Sequence, residues 1–220
     1  MRISQAFFDL NGTLFDPAAM GTPLEGEGRD LLVDEMLDGA VRLAMVETLT
    51  GSYRDFADLL RASASRTLAL AGQADRLDEV ASAVLEMRPY ADGIAAVETL
   101  RAAGIAVGIL TNSSTEAARS LIAKAELPDL DPIVGTDQVR AFKPDRRVYE
   151  RGVEAAGRPA GEVVLITAHS WDALGANRAG LLAAWIAARE RARPPIEPAP
   201  DFEAADLLGA AEQIAGERTA

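Results

Sequence analysis

Four short segments of the 220-residue chain carry side chains able to do chemistry, and each lies near the end of an apolar run. The first reads Phe8-Asp9-Leu10-Asn11-Gly12-Thr13. Asp9 is placed to act as a nucleophile or a metal ligand, and Gly12 allows a tight turn; the plain structural alternative is an Asx-capped turn. The second, Thr111-Asn112-Ser113, gathers a hydroxyl, an amide and the N–H groups of a helix start, a ready site for an anion. The third places Lys143 before Pro144 at the head of a helical pattern, and the fourth reads Thr167-Ala168-His169-Ser170-Trp171-Asp172. Singly, these segments read as a capped helix, a surface lysine and a capped loop. Together, in this order and at successive strand ends, they read as one site, because ligands of open α/β sheets sit beyond the carboxyl ends of the strands.

The elements that must position them follow from hydrophobic pattern. Strands are expected at Gln5–Phe8, Ile105–Leu110, Pro132–Val134, Val163–Ile166 and Ala183–Ile186, with helical patterns between them, which argues for βαβ units and a parallel sheet. Asp92 and Gly104 bracket one helix, Ser114-Thr115-Glu116 opens another, and Pro144-Asp145 opens a third that runs to Gly157. Residues 16–87 differ. After an acidic, Gly-rich stretch they show three helical stripes: Leu37, Val41, Ala44 and Met45; Phe56, Leu59, Leu60 and Ala64; Leu77, Val80, Ala81 and Val84. The expected organisation is an α/β core of residues 1–15 and 88–220, with a helical insertion of residues 16–87. A Pro-rich connection, Arg193–Pro200, precedes a last helix over Ala205–Ala215.

Composition removes whole classes of function. Hydrophobic residues make up 49% and charged residues 25%, enough for a full globular core and against disorder. There is no cysteine and one histidine, so thiolate chemistry, iron–sulfur clusters and multi-His metal sites are excluded. With 22 basic and 34 acidic residues the net charge is −12, which repels nucleic acid and anionic lipid. No apolar run nears the roughly 20 residues of a membrane span, and from Met1-Arg2-Ile3 leading straight into a strand-like segment no signal peptide is expected. A cytoplasmic protein is expected.

With these four segments and this insertion, the chain resembles the haloacid dehalogenase superfamily over its whole length. Asp9-x-x-Gly12-Thr13, the Thr111 strand end, Lys143 and the acidic fourth segment match its motifs. Leu110-Thr111-Asn112, Lys143-Pro144 with Tyr149 six residues on, and Ala168-His169-Ser170-Trp171-Asp172 are closest to the type II 2-haloacid dehalogenases. The resemblance implies a Rossmann-like parallel-sheet core with an inserted helical-bundle cap.

Superfamily phosphatases place a second Asp two residues after the nucleophile and a metal-binding Asp past the fourth strand. Here those positions hold Asn11 and Ala168. Asn11 gives up no proton, and Asp9 with Asp172 is a poor magnesium cage. A carbon–halogen bond needs neither, since halide leaves as a stable anion. The resemblance then implies attack by Asp9, an aspartyl ester and its hydrolysis, without metal or other cofactor. Lys143 would neutralise Asp9, Asp172 would hold Lys143, and His169 would serve as the base that activates the water. Thr13, Leu10, Asn11, Thr111, Asn112, Ser113 and Tyr149 are expected around a small anionic substrate. The arginine that these dehalogenases carry in the first cap helix to bind halide is Leu37 here in a gapless alignment, and Arg42 is the candidate to replace it. Trp171 is expected to pack. A homodimer through the cap is also expected. A phosphatase with an unusual site and a catalytically idle binding protein are the competing readings.

Overall fold

The computed structural model describes residues 2–217 apart from 126, 128 and 129; the outer limits 1 and 220 of the expected core lie outside the described residues. Its centre is a sheet of six parallel strands in the order β5-β4-β1-β6-β7-β8: β1 (Gln5–Phe8), β4 (Ala106–Thr111), β5 (Ile133–Gly135), β6 (Val163–Thr167), β7 (Leu182–Ile186) and β8 (Phe202–Ala204). Strands with both faces covered read as near-continuous apolar runs, and β1, β6 and β7 are buried at every residue. The period of two assigns their faces. Ala6 and Phe8 meet α4 (Ala91–Ala102), α5 (Thr115–Lys124) and α8 (Leu207–Glu217), whereas Phe7 meets α6 (Arg146–Ala156) and α7 (Ser170–Arg178) on the other side. Fully buried side chains such as Phe7 and Phe8 each contribute about 1.5–3 kcal/mol by leaving water.

The expected strands all form, with ends shifted by at most one residue. Within this sheet the additional strand is β8, a three-residue strand that no periodicity could announce; it exists because β7 offers it a ladder. The last helix starts at Leu207 rather than Ala205, since the N–H of Leu207 donates to Asp92 Oδ2 (2.9 Å) and that of Gly209 to Asp206 Oδ1 (2.8 Å). Asp145 caps α6 and Ser114 caps α5, each accepting from a first-turn N–H.

Between β1 and β4 the chain leaves the sheet through a two-stranded ribbon, β2 (Phe15–Asp16) against β3 (Arg88–Pro89). The residues between them fold as α1 (Arg29–Leu49), α2 (Phe56–Leu70) and α3 (Leu77–Ala83) around a hydrophobic cluster of their own. Val33, Met36, Leu37, Ala40 and Ala44 of α1 face Phe56, Leu59, Leu60, Ala64 and Leu68 of α2. One residue of the α/β part joins this cluster: Phe142, stacked on Tyr53 (5.0 Å, 14°) and tilted against Phe56. Its N–H also donates to Thr48 Oγ1 at 3.0 Å.

Candidate active site

The sheet order reverses at β1, whose neighbours are β4 and β6, so the carboxyl ends of these three strands open one crevice. Asp9 follows β1 directly, and its N–H donates to Ile166 O of β6 (3.0 Å). A tight turn comes next, in which the N–H groups of Thr13, Leu14 and Phe15 all point to Leu10 O. Gly12 takes φ +79° there, a left-handed conformation that glycine adopts without steric cost. This turn sends Thr13 back to Asp9: its hydroxyl donates to Asp9 Oδ2 (2.8 Å) and accepts from Ala168 N–H (3.0 Å).

Lys143 is fully buried, and its ammonium donates to Asp9 Oδ1 (3.1 Å) and Asp172 Oδ2 (2.8 Å). Asn112 Oδ1 accepts from the Lys143 N–H (2.9 Å), tying the lysine to the end of β4. Tyr149 OH donates to Asp172 Oδ1 at 2.7 Å. That approach is possible because Gly175 lies against the phenol, where any Cβ would collide with the ring.

Burial pushes the Asp9 carboxyl up, but Lys143, then His169 and the Thr13 hydrogen bond outweigh it and hold the group below the ordinary 3.8. Burial pushes Asp172 up as well, and there Lys143 offsets only part of the effect. Burial draws Lys143 down, yet Asp172 and Asp9 prevail and keep its ammonium above the ordinary 10.5. Asp9 is therefore an ionised, partly desolvated carboxylate with a fixed counter-charge, as a nucleophile requires.

The expected residues divide. Asp9, Asn11, Thr111, Asn112 and His169 line a cavity of about 30 Å³, together with Leu37, Asp38, Val41 and Phe56 of the helical insertion and Trp171. Trp171 does pack, against the His169 ring (5.6 Å), but it also forms cavity wall. His169 Nε2 stands 3.1 Å from Asn11 O and 3.7 Å from Asp9 Oδ2. Ser113 accepts from Asn11 Nδ2 (3.0 Å) and steadies the turn.

Three expected contacts are corrected. The Leu10 side chain is packed in the core beneath the turn. Tyr149 is wholly buried and contacts Asp172 rather than the cavity. Arg42 is exposed, paired with Glu35 (2.9 Å), and lines an outer groove. Helix geometry explains this last one: five residues from Leu37 is about 140° around α1, so when Leu37 faces the cavity Arg42 faces away. Two charged residues not anticipated as site groups stand nearby instead: Asp38 on the wall and Arg189 beyond β7.

A magnesium ion does not fit these residues. All four oxygens of Asp9 and Asp172 already accept hydrogen bonds from Lys143, Thr13 or Tyr149, and among the described residues no group of three His, Asp or Glu is placed around a common point.

A family model for haloacid dehalogenase-like hydrolases matches residues 3–180. The chain belongs to the haloacid dehalogenase-like hydrolases. Within that family, the (S)-2-haloacid dehalogenase of Pseudomonas fluorescens is 30% identical over 193 residues, 84% of each chain. That of Pseudomonas sp. (strain YL) is 26% identical over 213 residues, 93% of this chain and 91% of its own. Among solved structures, the L-2-haloacid dehalogenase of Xanthobacter autotrophicus superposes with a TM-score of 0.84 at 26% identity, covering 97% of this chain and 99% of that one. A further structure from that organism carries covalently bound chloropropionic acid, with a TM-score of 0.83 at 25% identity. The α/β fold expected from the sequence is the fold of these enzymes.

Proposed function

We propose that the protein is a hydrolytic dehalogenase of small (S)-2-haloacids. The observation that carries this reading is the buried Asp9–Lys143–Asp172 group, with Asn11 rather than a proton donor two residues past Asp9. An Asp9 oxygen attacks the α-carbon from the face opposite the halogen; the new C–O bond forms as the C–X bond breaks, and the electron pair leaves with halide. Water then attacks Cγ of the ester as His169 takes one of its protons. The bond from Cγ to the substrate oxygen breaks, the leaving alkoxide takes that proton back from His169 to give the 2-hydroxyacid, and the water's second proton goes to solvent as the Asp9 carboxylate returns. Inversion at the α-carbon follows from direct displacement. Thr13 and Lys143 hold Asp9 in place, and Asp172, itself held by Tyr149, holds Lys143. Asn11, Thr111, Asn112 and Ser113 are the proposed surroundings of the substrate carboxylate.

Residues 16–87 are proposed as the cap of this site and residues 1–15 with 88–220 as the core. We further propose a homodimer through the cap, where Leu31, Leu43, Val46 and Leu49 lie exposed, and a cytoplasmic location, in keeping with a chain free of cysteine.

The test is halide release from (S)-2-chloropropionate in the presence of EDTA. Turnover should persist with chelator and vanish in Asp9→Asn. A single turnover in H₂¹⁸O should leave ¹⁸O in the Asp9 carboxylate, read by mass spectrometry. Halide released without ¹⁸O entering Asp9 would refute the ester, and magnesium-dependent cleavage of a phosphoester in its place would refute the substrate class.

A further inference from the structure

The site as drawn has a charge problem. Its one buried cation, Lys143, is shared between Asp9 and Asp172, while the cavity wall adds another carboxylate, Asp38. A substrate that brings a carboxylate and leaves a halide needs a further positive group, and Arg42 points away. Arg189, three residues past β7, is nearby. Its Nη1 lies over Gly12, about 3.0 Å from where a Cβ would stand, and His169 Nε2 shares that position at 3.4 Å. Burial at the cavity edge pushes the Asp38 carboxyl up, and Arg189 is the strongest of the charges that oppose it. The loop is anchored, because the neighbouring Glu190 accepts the Ser170 N–H at 3.0 and 3.1 Å at the start of α7.

The partner that Arg189 has is a loose one. Asp34 Oδ1, on α1, is 2.8 Å from Nη2. It stands off the line of the N–H bonds, so the buried Nη2 makes no directed hydrogen bond. Asp34 itself is half-exposed. The cavity, about 30 Å³, has room for roughly one or two waters, so admitting a haloacid requires its walls to part; α1, which carries Leu37, Asp38 and Val41 of those walls, carries Asp34 as well.

We propose that Arg189 is the anion-binding residue of this site, supplied by the core beyond β7, and that Asp34 neutralises it until a small monovalent anion takes its place. The inference rests on the dehalogenase reading for the identity of that anion, which is either the substrate carboxylate or the released halide.

Calorimetric titration with bromide and with propionate separates the two, and requires no turnover. A failed dehalogenase assay is therefore distinguishable from a failed assignment of Arg189. Arg189→Gln should weaken one of these anions by about ten- to a hundredfold, the size of a hydrogen bond to a charged group: bromide if Arg189 holds the halide, propionate if it holds the carboxylate. Arg189→Lys should recover part of the loss. Asp34→Asn should tighten the same anion by about two- to fivefold, as expected for release of a partly exposed ion pair. A purely structural clamp between core and cap predicts the same direction in both variants. Unchanged binding of both anions in Arg189→Gln, or weaker binding in Asp34→Asn, overturns the proposal.

Discussion

Lys143 is a fully buried ammonium between two buried carboxylates, and its removal leaves both without a counter-charge. Lys143→Met is expected to abolish turnover and to lower stability at neutral pH by about 3–5 kcal/mol, the cost of breaking a buried ion pair by removing one partner. The pH dependence has a definite sign. Asp9 is held below its ordinary 3.8, so its contribution is complete above that value and is lost as pH falls through the depressed one. Asp172, held above 3.8, favours the folded state below that value, and this advantage fades as pH rises through its own. In Lys143→Met neither carboxylate is compensated and burial raises both, so urea unfolding should show the deficit shrinking as pH falls from neutrality towards the ordinary carboxylate range. In the proposed mechanism His169 acts in the second half-reaction only. His169→Gln should still release one equivalent of halide in a burst while steady turnover falls by about 10²–10⁴-fold, with the ester accumulating on Asp9. An unchanged steady rate would remove His169 from the mechanism. At this scale the sequence was most legible where a side chain reaches its partner through the adjoining turn, as Thr13 reaches Asp9. It was least legible for Tyr149, whose spacing from Lys143 is visible but whose direction depends on Gly175 of another helix.

The loop that carries Lys143 is held from both sides of the molecule. Asn112 takes the Lys143 N–H, while the residue before it, Phe142, lies in the helical cluster, stacked on Tyr53 and tilted against Phe56. Packing among the helices is thereby coupled to the position of the cation. Phe142→Ala should lower stability by about 3–5 kcal/mol, the usual range for a buried phenylalanine. It should also reduce kcat more than a surface substitution of equal stability cost, because the lysine loop loses its anchor. Equal kcat in the two variants would show that Asn112 alone positions Lys143. Helix caps and apolar stripes told where α1, α2, α5 and α6 lie, since those signals are local. The three-residue β8 and the short ribbon of β2 and β3 had no such signal, because strands that short are specified by the partner they pair with.

For the whole molecule, a net charge of −12 and an anionic substrate are compatible if positive charge is concentrated at the crevice rather than spread over the surface. The exposed apolar residues of α1 offer an association surface, and two acidic protomers repel until salt screens them. Sedimentation velocity should find a dimer that tightens with added salt and that Val46→Glu dissociates; a monomer at every salt concentration would exclude the cap-to-cap contact.

The sequence by itself determined the parallel sheet, the helical insertion and the family, and it singled out Asp9, Thr13, Lys143, His169 and Asp172 as candidates from motifs that follow strands or open helices, where local order and the fold's polarity bring them to one end of the sheet. Only the tertiary structure decided which side chains look into the crevice. It moved Leu10 to the core, Tyr149 behind Asp172 and Arg42 to the outside of α1, and it brought Arg189 to Gly12 and His169 from a run of Ala and Arg with no motif of its own. Those assignments depend on the rotation of a helix and on contacts between segments some 180 residues apart, from Gly12 to Arg189. No local pattern records such contacts, because they are fixed by packing between the elements and not within them.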